Sequence, residues 1–173
     1  RGGGSVIVPG PNGSGLADQE FRSFVGVGRV RHEIGRSFVS LLVTDREVSG
    51  GGSNRVLGPD LQWRPTERDT VGGQFLYSFS TTPDRPELAT EWDGRTLSGH
   101  GTDVWWSHST ETVDWYAEVK DFSDGFRADV GFVPQVGFRE GYAEGGYTWR
   151  PEGFFTRVRT FLFADYQADR DGA

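Results

Sequence analysis

The feature that most limits the fold of this chain is a period of two. From Phe24 onward about eight runs alternate apolar and polar side chains, near residues 24–34, 37–47, 54–64, 70–81, 100–109, 113–122, 138–150 and 154–167. Successive side chains of a strand point to opposite faces, so each run predicts a strand with one apolar and one polar face. Between the runs nothing has the 3.6-residue period of a helix. The expected fold is all-β, an antiparallel up-and-down meander of about eight strands.

The faces sort cleanly within single runs. In the third, Leu57, Leu61 and Trp63 oppose Gly58, Asp60, Gln62 and Arg64; in the fourth, Val71, Phe75, Tyr77 and Phe79 oppose Gly72, Gln74, Ser78 and Ser80. In the sixth, Val113, Trp115, Ala117 and Val119 oppose Asp114, Tyr116, Glu118 and Lys120. Ala143, Gly145, Tyr147 and Trp149 oppose Glu144, Gly146, Thr148 and Arg150 in the seventh.

Alternation alone suits a soluble β-sandwich as well as a membrane barrel, so the connections have to discriminate. Those after the odd-numbered runs are short: "GR" at 35–36, "PTERD" at 65–69, "TET" at 110–112 and "PEG" at 151–153. Those after the even-numbered runs are longer: "VSGGGS" at 48–53, "TPDRPELATEWDGRTLS" at 82–98 and "SDGFRADVGFVPQVG" at 123–137. Short turns at one end and long loops at the other are the asymmetry of bacterial outer-membrane barrels. Residues 22–173 are therefore expected to be part of a transmembrane β-barrel. Residues 1–21, rich in glycine and proline, read as an irregular lead-in.

Composition narrows the function classes. With no cysteine, disulfide frameworks and cysteine metal sites are excluded. The formal charge of −7 leaves no basic stripe for nucleic acid. No stretch approaches the roughly 18 apolar residues of a membrane helix, but a membrane strand needs only about 10 residues. The chain starts at Arg1 and contains no methionine, which suggests a piece of a longer exported protein.

Two runs end on the same triplet, Trp63-Arg64-Pro65 and Trp149-Arg150-Pro151. Both tryptophans fall on the apolar face beside a short turn, where an indole can face lipid with its ring and water with its N–H. Trp63, Trp149 and Tyr147 are thus expected in an aromatic belt in contact with outer-membrane lipid. The opposite face supplies the expected interior lining: Asp60, Arg64, Gln74, Asp114, Glu118, Lys120, Glu144 and Arg150. The prolines end ladders that need no further donor.

Motifs that would carry chemistry are weak. His32 stands apart from His100 and His108, which share one run eight residues apart, and none of them has close metal-ligand spacing. "GVGRVR" at 26–31 lacks the third glycine of a nucleotide fingerprint, and "NGSG" at 12–15 is not a nucleophile elbow. Asp169-Arg170-Asp171-Gly172 resembles only the opening of a calcium loop. Asp103, Asp114, Glu118 and Glu144 could supply a glycosidase pair. Ion pairing with Arg64, Lys120, Arg150, Arg157 or Arg159 is the simpler expectation for a polar barrel interior. No catalytic residue, metal or cofactor is assigned. A soluble alternative would bind glycans by stacking on Trp92, Trp105 or Trp106, the last two on opposite faces of one strand.

Four segments carry a family resemblance: "SFVSLLVTDRE" (37–47), "NRVLGPDLQWRP" (54–65), "VGGQFLYSFS" (71–80) and "DFSDGFRADVGFVPQVGFRE" (121–140). Together they resemble a domain-of-unknown-function family that forms the C-terminal outer-membrane barrel of bacterial proteins described as carbohydrate-binding family 9 domain-containing or membrane-associated hydrolase. The most specific positions are Asp121, Phe122, Asp129, Gly131, Phe132, Pro134 and Arg139. The resemblance implies a basic residue after that proline; Gln135 stands there instead, so no anion site follows. It also implies a barrel longer than this chain, Gram-negative outer-membrane localisation, and a carbohydrate-binding module elsewhere in the protein. It carries over no catalytic residues.

Overall fold

The computed structural model describes residues 4–10, 12–19, 22–131 and 133–170. Ten strands are formed: β1 (Gly4–Gly10), β2 (Gly13–Gln19), β3 (Ser23–Ile34), β4 (Ser37–Val48), β5 (Ser53–Trp63), β6 (Asp69–Thr81), β7 (Thr96–Ser109), β8 (Val113–Phe122), β9 (Phe138–Trp149) and β10 (Val158–Asp169). The last eight make one antiparallel sheet in which every strand pairs with its chain neighbours, from β3 at one edge to β10 at the other. This is the expected meander. Among the described residues the two edges are not paired with each other.

Register fixes the faces. Val43 lies opposite Leu57 and Leu57 opposite Tyr77, while Ser40 lies opposite Asp60 and Asp60 opposite Gln74. Further along, Val104 faces Val119 and Asp103 faces Lys120. One side of the sheet therefore carries the valines, leucines and aromatics, and the other carries the acids, amides, hydroxyls and bases. The edge strands mix the two most, with Val25, Val27, Phe161 and Phe163 on the polar side, and the inner strands add Phe38, Leu42, Val56 and Leu76 there.

Two strand ends differ from the sequence reading. β7 begins at Thr96, because Thr96 and Leu97 continue the ladder against Thr81 and Ser80. β10 begins only at Val158; β9 stops at Trp149, ahead of the donor-less Pro151, and Gly153 turns the chain at φ 135°. Phe154 and Phe155 are left exposed in that turn. The loop-length asymmetry consequently rests on residues 82–95 and 123–137, since 49–52 is a tight turn with Gly50, Gly51 and Gly52 all at positive φ.

The lead-in is not irregular. β1 and β2 pair as an antiparallel hairpin, with Val6 opposite Ala17 and Val8 opposite Gly15. The glycines and prolines hid a genuine alternation. Val8 and Ala17 bury one face of the hairpin against Trp92, joined by Val6, Leu88 and Ala89, while Leu16 on the other face is exposed. The hairpin thus docks on the 82–95 loop, at the long-loop end of the sheet. A second small core, Val56, Phe126 and Val136, lies under the 123–137 segment.

Candidate functional site

The polar side of the sheet is organised as ion-paired rows. At the β3 edge, Arg29 bonds Asp60, which also accepts from Ser40, and Arg31 stacks on Phe38 at 3.8 Å. Toward the other edge, Lys120 lies between Glu118 at 2.8 Å and Glu140 at 3.1 Å. Arg159 holds both Asp114 and Glu144, the latter at 3.2 Å, and Tyr142 donates to Glu144 at 2.8 Å. Between these rows the Trp105 ring covers Gly72, where any Cβ would collide with it.

Above the rows, residues 123–137 turn back over the same side of the sheet. The segment opens and closes on β7 and β8: Ser123 N donates to His100 O at 2.9 Å and Gly137 N to Phe122 O at 2.9 Å. Asn54 is its main clamp. Its amide donates to the Arg127 carbonyl at 2.9 Å and to Ser80 Oγ at 2.8 Å, and its carbonyl accepts from Asp129 N at 3.0 Å. Ser78 Oγ accepts from Arg127 N at 3.0 Å, and Arg46 pairs with Asp129 at 2.8 Å. The Arg127 guanidinium caps the carbonyls of Asp124 and Phe126, both at 2.8 Å. Burial, reinforced by repulsion from Arg95, pushes that guanidinium below its ordinary pKa.

A cavity of about 450 Å³ remains between this segment and the strands. Its walls include Gln74, Asp103, Lys120 and Glu140 on the strands, Phe122 and Phe138 at the base, and Pro134 and Gln135 from the segment. Amides, a carboxylate pair and aromatic rings suit a small polar solute with hydrogen-bond donors. Of the four carboxylates nominated for glycoside hydrolysis, Asp114, Glu118 and Glu144 each carry a basic partner, and Asp103 lies opposite Lys120 in the ladder.

The belt residues Trp63, Trp149 and Tyr147 are all exposed on the apolar face. Trp106 joins them, donating through Nε1 to Asp69 at 3.2 Å and meeting Trp115 edge to face. Asp60, Gln74, Asp114, Glu118, Lys120 and Glu144 all lie on the polar face. Arg64 and Arg150 do not reach the rows. Each lies one residue beyond its strand, exposed in a turn, and Arg150 donates to Glu111 O at 3.1 Å.

The residues behind the family resemblance converge on the folded-back segment. Phe122 stacks with Phe138 and meets Phe126; Asp129 takes the Arg46 ion pair, Gly131 N bonds Ala128 O at 2.9 Å, and Pro134 lines the cavity. Asp121 and Arg139 lie on the apolar face near its long-loop end, Asp121 also bonding Arg170. Phe132 lies outside the described residues, as do Asp171 and Gly172.

Trp92, one of the tryptophans nominated for glycan stacking, is buried under the hairpin and offers no platform. Trp105 is turned to the polar side and Trp106 to the apolar side, as the alternation requires. Sequence reasoning missed Asn54, Ser78, Ser80 and Arg46, all buried. For Asn54, Ser78 and Ser80 the signal was available only as small or amide side chains where a lining is normally charged; nothing local set Arg46 apart. No family model, curated protein or solved structure matches the chain.

Proposed function

We propose that this chain is a membrane-spanning segment of a Gram-negative outer-membrane β-barrel, with its apolar face toward lipid and its polar face toward the interior. It serves passage across the envelope, or anchors there a carbohydrate-binding module carried elsewhere in the protein, and performs no catalysis in this segment. One observation carries the reading: burial is inverted. Val30, Val119 and Leu162 are 76 %, 61 % and 83 % exposed, while Arg46, Asn54 and Ser78 are 4 %, 1 % and 0 % exposed. A soluble sandwich packs its apolar face inward. A contiguous apolar surface of this extent in water would be a strong liability to association.

Dimensions and borders support the same reading. Strands of 10 to 14 residues, at about 3.3 Å each and tilted by about 40°, rise about 25–35 Å, enough for the apolar band about 25 Å tall of a membrane barrel. Trp63, Trp106, Tyr147 and Trp149 border the apolar band at the short-turn end, and Asp45, Glu47, Arg55, Asp121 and Arg139 border it at the other. No helix among the described residues is long and apolar enough to cross a membrane, which says nothing of strands.

The test is fractionation of the protein in its native envelope, followed by extraction in detergent and a gel run with and without boiling. Recovery in the outer membrane with heat-dependent migration is the expected result. A folded, monomeric chain in plain buffer would refute the proposal.

A further inference from the structure

We propose that residues 123–137 are a built-in strap that narrows the barrel interior, seated across the polar face instead of projecting outward. What the strap obstructs depends on the barrel reading; where it sits does not. The contacts trace its course. It leaves β8, crosses β7 at Gly99 and Gly101, bonds Ser78 on β6 and Asn54 on β5, and ends its reach at Arg46 on β4. That is five adjacent strands, hence four inter-strand spacings of about 4.8 Å each. On the concave side of a barrel, a segment crossing five adjacent strands is a chord through the lumen.

The seat is built for backbone. A Cβ at Gly99 would collide with Phe126 N and Ser123 Oγ, one at Gly125 with Ser98 O, and one at Gly101 with the rings of Phe122 and Phe126. Three glycines thus allow the strap to touch the sheet where any other residue would lift it off. The fastening is polar and buried, since Asn54 and Ser78 satisfy the strap's Arg127 and Asp129 amides and the Arg127 carbonyl. Phe126, with no exposed surface, fills the space beneath. By contrast, the 82–95 loop at the same end keeps Asp84, Arg85, Pro86 and Glu87 in solvent.

An outward loop would not need a glycine floor, nor a buried arginine held by an acid from another segment. The 450 Å³ cavity beneath the strap is then the confined part of the path. Small polar solutes meet Gln74, Asp103, Lys120 and Glu140 there before leaving.

Hydrogen exchange on the full protein in detergent reads the seat, and conductance in planar bilayers reads the obstruction. The Arg127 and Asp129 amides should exchange at least tenfold more slowly than those of Asp84 and Glu87. Asn54→Ala should erase that difference while leaving β8–β9 amides unchanged. Replacing residues 124–136 by a short Gly-Ser turn should raise conductance several-fold; if that variant does not fold, Asn54→Ala serves as the milder opening and should raise it about twofold.

Fast exchange at 127 and 129 in the unaltered protein would overturn the seat. Unchanged conductance in a strap-free, heat-modifiable barrel would overturn the obstruction. A protein absent from the outer membrane and silent in bilayers in both forms, yet with protected strap amides, would instead refute the barrel reading and the obstruction with it, leaving the seat intact.

Discussion

The two faces of the eight-strand sheet are built by the same alternation but present opposite chemistry. On one face, Leu41, Val43, Leu57, Leu61, Phe75 and Val104 stand in register with nothing packed over them. The other holds rows of ion pairs, covered at one end by a strap in which Arg127 is buried and the Arg127 and Asp129 amides are hydrogen-bonded to the sheet. An isolated soluble sheet cannot afford this arrangement, because burying polar groups requires every one to find a partner while the exposed apolar area contributes nothing. In a bilayer the same sheet is sensible: lipid takes the apolar face, and the interior becomes the place where hydrogen bonds have to close.

The sharpest way to break this contrast is a charge in the middle of the apolar face. Leu57, between Val43 and Tyr77 in the ladder, is the site. Leu57→Arg should cost about 2–4 kcal/mol if that face meets the hydrocarbon core, read as a shift in the urea midpoint for folding into lipid vesicles. On a water-exposed face the same change stays within about 0.5 kcal/mol, so a small shift would sink the membrane assignment.

The matching probe on the polar face is Ser78→Val, which removes the acceptor of Arg127 N in a site with no exposed surface. A loss of about 1–3 kcal/mol is expected in the same assay, the desolvation penalty of an unpaired buried amide. A smaller effect follows from Arg159→Met. Its partners Asp114 and Glu144 are left without a base, but all three side chains are more than a quarter exposed. Solvent screening discounts the pair, and a shift in the midpoint clearly smaller than that of Ser78→Val is expected. Equal costs for Ser78 and Arg159 would mean that the polar face is uniformly dry, contrary to the structure.

Most of the strands were legible because alternation over ten or more residues is hard to produce otherwise: Val113 to Lys120 assigns every side chain to its observed face. The hairpin at 4–19 was not, since its alternation is only four residues wide and is flanked by glycine and proline, which normally signal a loop. The strap was not legible for a different reason. In the sequence 123–137 is only a long connection, and its position is decided by groups far away in sequence, Arg46, Asn54 and Ser78, that no local pattern links to it. Gly99 and Gly101, two glycines on the polar side of one strand, were the one hint that something lies against it.

The repeated Trp-Arg-Pro triplet sharpens the comparison at its border. Alternation alone assigns Arg64 and Arg150 to the polar face, with the ion-paired lining. Instead both β5 and β9 end on the tryptophan, so each arginine follows the turn and its charge sits at the rim, where water is the main partner. Arg150 reaches only a backbone carbonyl, that of Glu111. Arg64→Ala and Arg150→Ala should therefore each change stability by less than about 0.5 kcal/mol, below the cost at Arg159 although all three are arginines near the same sheet. The midpoint for vesicle folding measures it. A loss above 1 kcal/mol for either would place its guanidinium among the buried acids after all, and would move the boundary between interior and rim inward by one residue along that strand.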